Sequence, residues 1–276
     1  MQMQLINAKK NYSFFFIVMV WAIYCAVFLD INQFDQFKIY TGWVLLSVSA
    51  ALTFVSVCYA FWIWCNSVGR AKRIFAFITL ACALDFVSNG IYQFLYNLSH
   101  FSHDSVSSLL ISSYNLPYIG FLLFQVVVWL ALLSKAKFYR GRIKGALFYL
   151  PFVLIVFVLS TVFFFPFAWN LKSITVYGAY NLLELFLQIA VFFAALFCLT
   201  VTKNRGIFYL AVSSIIIVTS DLIMNFGLFS QRYGVMSFVE NGWVLGELLR
   251  IYSFSTIIKT RSYDVLPEDW VQEVKA

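Results

Sequence analysis

Eight long apolar runs, parted by short polar breaks, take up most of this chain. They cover residues 12–29, 41–65, 74–98, 114–135, 146–165, 176–202, 207–229 and 239–258. A helix crosses a hydrocarbon core of about 30 Å with about 20 mainly apolar residues, because each residue rises 1.5 Å. Every run is near that length. No water-facing globule could accommodate them: 62% of residues are hydrophobic and only 11% are charged. A soluble domain has roughly 45–50% apolar and about 25% charged residues. The runs therefore predict an all-α polytopic membrane protein with eight transmembrane helices. The first run follows Lys9 and Lys10, as a signal peptide would. No convincing small-x-small cleavage site comes after it, so it reads as an uncleaved helix.

Orientation follows from Lys and Arg, which collect on the cytoplasmic side of membrane proteins. Alternate connections hold Lys9 and Lys10; Arg70, Lys72 and Arg73; Lys135, Lys137, Arg140, Arg142 and Lys144; Lys203 and Arg205; and Lys259, Arg261 and Lys275. These are fifteen residues, against Lys38, Lys172 and Arg232 on the other side. Both termini are thus expected in the cytoplasm, which needs an even number of spans, and the expected location is a bacterial inner membrane. The net charge of +7 sits in these short loops. It forms no basic stripe, so no nucleic-acid partner is expected. Cys25, Cys58, Cys65, Cys82 and Cys198 all lie in apolar stretches without a CxxC pair, and there are two His. No metal site and no cofactor are expected, and the cysteines read as buried, small apolar side chains.

The halves resemble each other. Asp85 and Asn89 in the third span match Asp221 and Asn225 in the seventh, each pair separated from the other by 136 positions. Asn115 and Gly120 in the fourth span match Asn241 and Gly246 in the eighth at 126 positions. The pattern predicts a parallel 4+4 internal repeat: residues 1–140 and 141–262 as two four-helix units, with 263–276 a short cytoplasmic tail. Parallel repeats occur in transporters, but duplication also builds sensors and enzymes.

A carboxylate at mid-membrane costs about 2.5–3.5 kcal/mol on insertion scales, so each one needs a reason. Asp85, Asp221, Glu247 and Arg250 are central or nearly so in their spans, and Glu184 lies in the outer half of the sixth. Glu247 and Arg250 are three apart and share a helix face. Asn89 and Asn225 stand one turn beyond their Asp partners. For Asp85 and Asn89, whose own half offers no other charge, interhelical hydrogen bonding is as good an explanation as function. In the second half, Glu247 and Arg250 stand where the matched register has Phe121 and Phe124. That asymmetry points to a site for a polar or charged ligand group built from Asp221, Asn225, Glu247, Arg250, Glu184, Asp85 and Asn89. Four acids against one Arg leave a formal charge of minus three, to be offset by protons, water or a cation. Trp43, Trp62, Trp64, Trp169, Tyr177 and Trp243 are expected in interfacial belts. Asn97-Leu98-Ser99 matches a glycosylation sequon but abuts a span end. There is no P-loop, GxSxG or HExxH motif.

An Asp in one helix, followed by Asn-Gly-Trp-x-Leu-Gly-x-Leu-Leu opening the next, is similar to the multi-helix membrane sensor regions of bacterial diguanylate cyclases and histidine kinases. The resemblance covers residues 74–135 and 207–258. It implies a sensor-like, ligand-binding protein. The chain has no cytoplasmic catalytic domain of that kind, so signalling would need a separate partner. Asp85 and Thr219-Ser220-Asp221-Leu222 resemble the YhhN-type lysoplasmalogenase family. That resemblance would make the protein a lipid hydrolase, with Asp85 and Asp221 as base and acid on an ether lysolipid. Here the first Asp lacks the preceding Gly associated with that family. A small-molecule transporter is a third reading. Membrane lipids and a small or amphiphilic ligand are the expected partners.

Overall fold

The computed structural model describes residues 12–32, 38–102, 108–134, 176–229, 240–264 and 270. They form seven α-helices and no strand. The helices are α1 (Tyr12–Asn32), α2 (Lys38–Asn66), α3 (Gly69–Ser102), α4 (Ser108–Leu133), α5 (Val176–Val201), α6 (Arg205–Phe229) and α7 (Glu240–Lys259). Their bounds lie close to seven of the eight expected spans. The expected fifth span, 146–165, lies outside the described residues, as do the connections around residues 105, 140, 170 and 234.

Five stretches are long and apolar enough to cross a membrane: Ser47–Asn66, Gly69–Ile91, Leu116–Leu133, Leu183–Val201 and Arg205–Ile223. The protein is an integral, multi-pass helical membrane protein. The outer faces agree with a lipid surrounding. Phe15, Phe16, Ile23, Phe54, Phe61, Leu116 and Leu123 all point outward, an apolar surface that water would not tolerate. Helix α7 falls outside the five because Glu240, Asn241, Glu247, Arg250 and Lys259 interrupt its apolar sequence.

Six helices pack in a ring. Helix α2 lies against α3, α3 against α4, α4 against α5, α5 against α6, α6 against α7, and α7 against α2. Helix α1 stands outside it, touching α7 and α2, and the Trp21 indole donates to the Asn241 carbonyl at 2.9 Å. Lipid is as apolar as a helix surface, so packing and hydrogen bonds, rather than escape from water, hold such a ring together. Small residues supply the close contacts. Gly242 and Gly246 form a small-xxx-small face on α7: a Cβ on Gly242 would meet Ser220 Oγ, and one on Gly246 would meet Ile217. Ser213 Oγ donates to the Gly246 carbonyl at 2.7 Å. Between α3 and α4, Gly120 faces Leu84 and Phe77 stacks on Phe124. At the α2–α3 turn Gly69 takes φ of 55°, a left-handed conformation that disfavours a side chain.

Beside the α5–α6 connection the chain folds back on the ring. Trp270 is fully buried and meets Phe75 of α3 edge-on. Its carbonyl accepts from the Lys203 amide at 2.7 Å and from Thr202 Oγ1 at 3.1 Å. Its indole donates to the Ser262 carbonyl at 3.1 Å. The tail segment thus bridges α3 and the α5–α6 connection.

Two expectations need correction. Trp243 does not belong to an interfacial belt, because its indole turns inward to Asp221. The cysteines are not all buried: Cys25, Cys82 and Cys198 are, whereas Cys58 and Cys65 are exposed on the outer face of α2. For a spanning helix that face meets lipid, so these thiols still sit among apolar groups. Trp62 does lie at the periphery, edge-on to Tyr263.

Candidate functional site

Each ring helix buries polar residues: Thr53 and Ser56 on α2, Asp85 on α3, Gln125 on α4, Gln188 on α5, Ser214 on α6 and Arg250 on α7. On α7 the buried positions Asn241, Val244, Glu247, Arg250, Phe254 and Ile257 recur at steps of three and four, one face of a 3.6-residue helix. On α3 the same spacing gives Ile74, Ile78, Ala81, Asp85 and Ser88. Where α2, α3 and α7 approach one another, Asp85, Glu247 and Arg250 meet.

Arg250 is the centre. It is 0% exposed, and its Nη1 donates to Asp85 Oδ2 at 2.6 Å and lies 2.9 Å from Glu247 Oε1. Both distances are in the range of charge-assisted hydrogen bonds. Each carboxylate has a further donor. Asn89 Nδ2 donates to Asp85 Oδ1 at 3.0 Å, and Ser56 Oγ donates to Glu247 Oε2 at 3.1 Å. The Phe121 ring lies 5.4 Å from the guanidinium carbon, within reach of a cation–π interaction. Arg250 Nε and Nη2 are buried and have no hydrogen-bond partner among the described residues.

A second cluster surrounds Asp221. Trp243 Nε1 donates to Oδ1 at 2.6 Å, and the Tyr118 hydroxyl donates to Oδ2. Pro117 lies just before Tyr118 inside α4; it supplies no amide, so the carbonyl four residues earlier lacks its usual helical donor. Glu184 and Asp85 both lie near enough to Asp221 to interact with its charge. On α5 Gln188 Nε2 donates to Glu184 Oε1 at 3.0 Å. Ser214 Oγ donates to Gln125 Oε1 at 3.2 Å, joining α6 to α4.

The expected site residues therefore fall into two groups. Asp85, Asn89, Glu247 and Arg250 come together; Asp221 and Glu184 belong to the second cluster. Asp85, which its own half leaves without a charged partner, receives one from α7, 165 positions away. Arg250 bonds to Asp85 and Glu247, not to Asp221 or Glu184. Asn225 is on α6, but its side chain is outside the described residues. Ser56, Tyr118, Gln125, Gln188, Trp243 and Cys82 join the network although sequence reasoning does not single them out for it. Tyr118 and Trp243 carry a legible signal, since each lies within the helix-opening motifs of the matched halves. Ser56 carries none, being one of several hydroxyls on α2. Among the described residues no three His, Cys, Asp or Glu side chains cluster in a way that would hold a metal.

Outside the ring, α1, α2 and α7 enclose an open groove of about 540 Å³, lined by Phe16, Ile17, Tyr59, Leu248, Ile251 and Tyr252 among others. It contains neither Asp85 nor Asp221. No family model matches the chain, and neither does any curated protein or solved structure. The class is defined by fold and site alone: a multi-pass helical membrane protein with a buried ionic cluster inside a ring of helices.

Proposed function

We propose that this protein is a sensor-like membrane receptor that binds a small or amphiphilic ligand inside the helix ring and acts on a separate cytoplasmic signalling partner. The observation that carries this reading is Arg250. It is wholly buried, its Nη1 is shared by carboxylates from α3 and α7, and its Nε and Nη2 are unpartnered among the described residues. Buried polar groups are nearly always hydrogen-bonded, and exceptions mark sites that take something else. A ligand at that edge would act on α2, α3 and α7 together.

The reading also rests on eight spans arranged as two parallel repeats. The ring supports it, because each contact has a counterpart one repeat on: α2–α3 with α5–α6, α3–α4 with α6–α7, and α4–α5 with α7–α2. The close contacts refine the register. Leu84–Gly120 corresponds to Ser220–Gly242, and Phe77–Phe124 corresponds to Ser213–Gly246. The third and seventh spans keep their 136-position match, while the fourth and eighth match at 122 positions, one helical turn from the sequence alignment. In this register Glu247 answers to Gln125 and Arg250 to Val128. Reporter fusions at residues 35, 105, 170 and 234 should all report the non-cytoplasmic side.

A lipid hydrolase using Asp85 and Asp221 is the alternative. Against it, each carboxylate already accepts hydrogen bonds on both oxygens from protein donors, and the lipid-facing groove holds no acid. Native mass spectrometry of the protein taken directly from its membranes tests the receptor. A bound small molecule retained by wild type and lost in Arg250→Lys supports it. Lysolipid depletion in expressing membranes would turn the assignment to the hydrolase, and solute uptake into proteoliposomes would turn it to a transporter.

A further inference from the structure

We infer that the ligand presents an uncharged carbonyl oxygen, rather than an anionic group, to the Nε–Nη2 edge of Arg250. The inference rests on the receptor reading and specifies its chemistry. A free guanidinium edge ordinarily invites a carboxylate or phosphate, because its parallel N–H groups match two oxygens. The surrounding charge argues otherwise. Asp85 and Glu247 both lie on Nη1, at 2.6 and 2.9 Å, so the guanidinium is already matched by two carboxyl groups. Other described neighbours bring no further cation: Ser56 from α2, Cys82 from α3 and Phe121 from α4. A third acid here would add negative charge to a cluster with no positive charge left among the described residues to meet it, in surroundings where unbalanced charge is poorly tolerated.

The Cys82 thiol beside the guanidinium is only a weak acceptor. What the edge lacks is a good oxygen acceptor without charge. An ester, amide or ketone carbonyl on a lipid-soluble molecule supplies one, and the Phe121 ring, 5.4 Å from the guanidinium carbon, offers an apolar surface beside it. Such a carbonyl has two sources: a membrane lipid ester, or a free lipid-soluble compound.

The test uses the full chain in nanodiscs, with thermal unfolding followed by tryptophan fluorescence. The probes are methyl decanoate, N-methyldecanamide, sodium decanoate at pH 7, and undecane. In discs of ether phospholipid, where no lipid ester competes, the ester and the amide should each raise the wild-type midpoint by about 3 °C near saturation, with undecane and decanoate giving no shift. Arg250→Lys keeps a cation for Asp85 and Glu247 but removes the fork, so it should abolish the shift. Should that variant not fold, the stretching band of carbonyl-labelled methyl decanoate provides a second measurement. It should fall to lower frequency on binding wild type, relative to the same ester in undecane.

Discs of ether phospholipid, which lack ester carbonyls, separate the sources. A lowered midpoint there, restored by methyl decanoate, assigns the carbonyl to the bilayer; an unchanged midpoint assigns it to a free compound. An Arg250-dependent shift larger with decanoate than with the ester overturns the inference and leaves the receptor standing. The same holds if no probe shifts the midpoint while native mass spectrometry retains an Arg250-dependent ligand. If neither probes nor native ligand bind, both fail.

Discussion

At Asp85 the buried carboxylate is held by a cation, while at Asp221 it is held by neutral donors. Asp85 shares Arg250 with Glu247, and takes a second bond from Asn89. Asp221 rests between the Tyr118 hydroxyl and the Trp243 indole, with no cation against it among the described residues. The two positions match in sequence, yet the helix beside each differs: α7 brings Glu247 and Arg250 to the first, whereas α4 brings Tyr118 to the second. One cluster holds more acid than base together with a guanidinium edge that no described residue uses. The other is an acceptor served on both oxygens. Two carboxylates at matching sequence positions thus have different surroundings. Asp221 has the features of a structural tie between α4, α6 and α7, and the Arg250 cluster has those of a site.

The largest test of this difference is Arg250→Leu. It strands two buried carboxylates and should destabilise the protein by about 3–5 kcal/mol, the range for breaking a buried pair. Adding Asp85→Asn and Glu247→Gln should recover much of the loss. Thermal unfolding in detergent measures both, and a stable Arg250→Leu protein would remove the ionic cluster from the account.

Gly242→Ala probes the α6–α7 pair, which carries the Asp221–Trp243 bond and seats the helix of Arg250. A Cβ there meets Ser220 Oγ, and overpacking of this kind costs about 1–3 kcal/mol. Equal loss from Ala at Gly90, where an added Cβ meets nothing within 4 Å, would show that the close approach does not matter.

Tyr118→Phe removes one neutral donor from Asp221. Interhelical hydrogen bonds in membranes average about 0.6 kcal/mol and reach about 1.7, so the cost should lie in that range. It should also leave ligand binding at Arg250 unchanged in native mass spectrometry. Lost binding would mean that the two clusters are one site.

Asp85→Asn should have the smallest effect, under about 1 kcal/mol, because it removes an acid from a cluster with one too many and leaves Arg250 paired with Glu247. A loss as large as that of Arg250→Leu, in the same unfolding assay, would show that Asp85 rather than Glu247 is the partner Arg250 depends on.

Much of the frame is legible in the amino-acid sequence. The expected spans 74–98, 176–202 and 239–258 meet helices Gly69–Ser102, Val176–Val201 and Glu240–Lys259, because a run of apolar residues able to bury its own backbone hydrogen bonds in lipid has little choice but helix. Pairings within one helix are legible too. Glu247 lies three before Arg250 and Asn89 four after Asp85, and spacing alone puts each pair on one face.

Partners across helices are a different matter. Periodicity names the inward face of a helix but not which other face it meets. Aligning the two halves by sequence sets Glu247 and Arg250 opposite Phe121 and Phe124 and gives no hint that Arg250 meets Asp85. Trp243 has the position of a belt residue because aromatics near span ends usually are; it turns inward because Asp221 is there to receive its N–H. Trp270, in a short polar tail, gives no sign in the sequence that it would wedge against Phe75.

By itself, then, the sequence determined that the chain is a multi-pass helical membrane protein and where the seven described helices run, since both depend on local composition measured against the thickness of a bilayer. Only the tertiary structure decided that Arg250 belongs to Asp85 as well as to Glu247. That pairing joins α3 to α7 across 165 positions. It depends on closure of the ring through glycine contacts and hydrogen bonds, and these are set by three-dimensional fit rather than by any local preference of the chain.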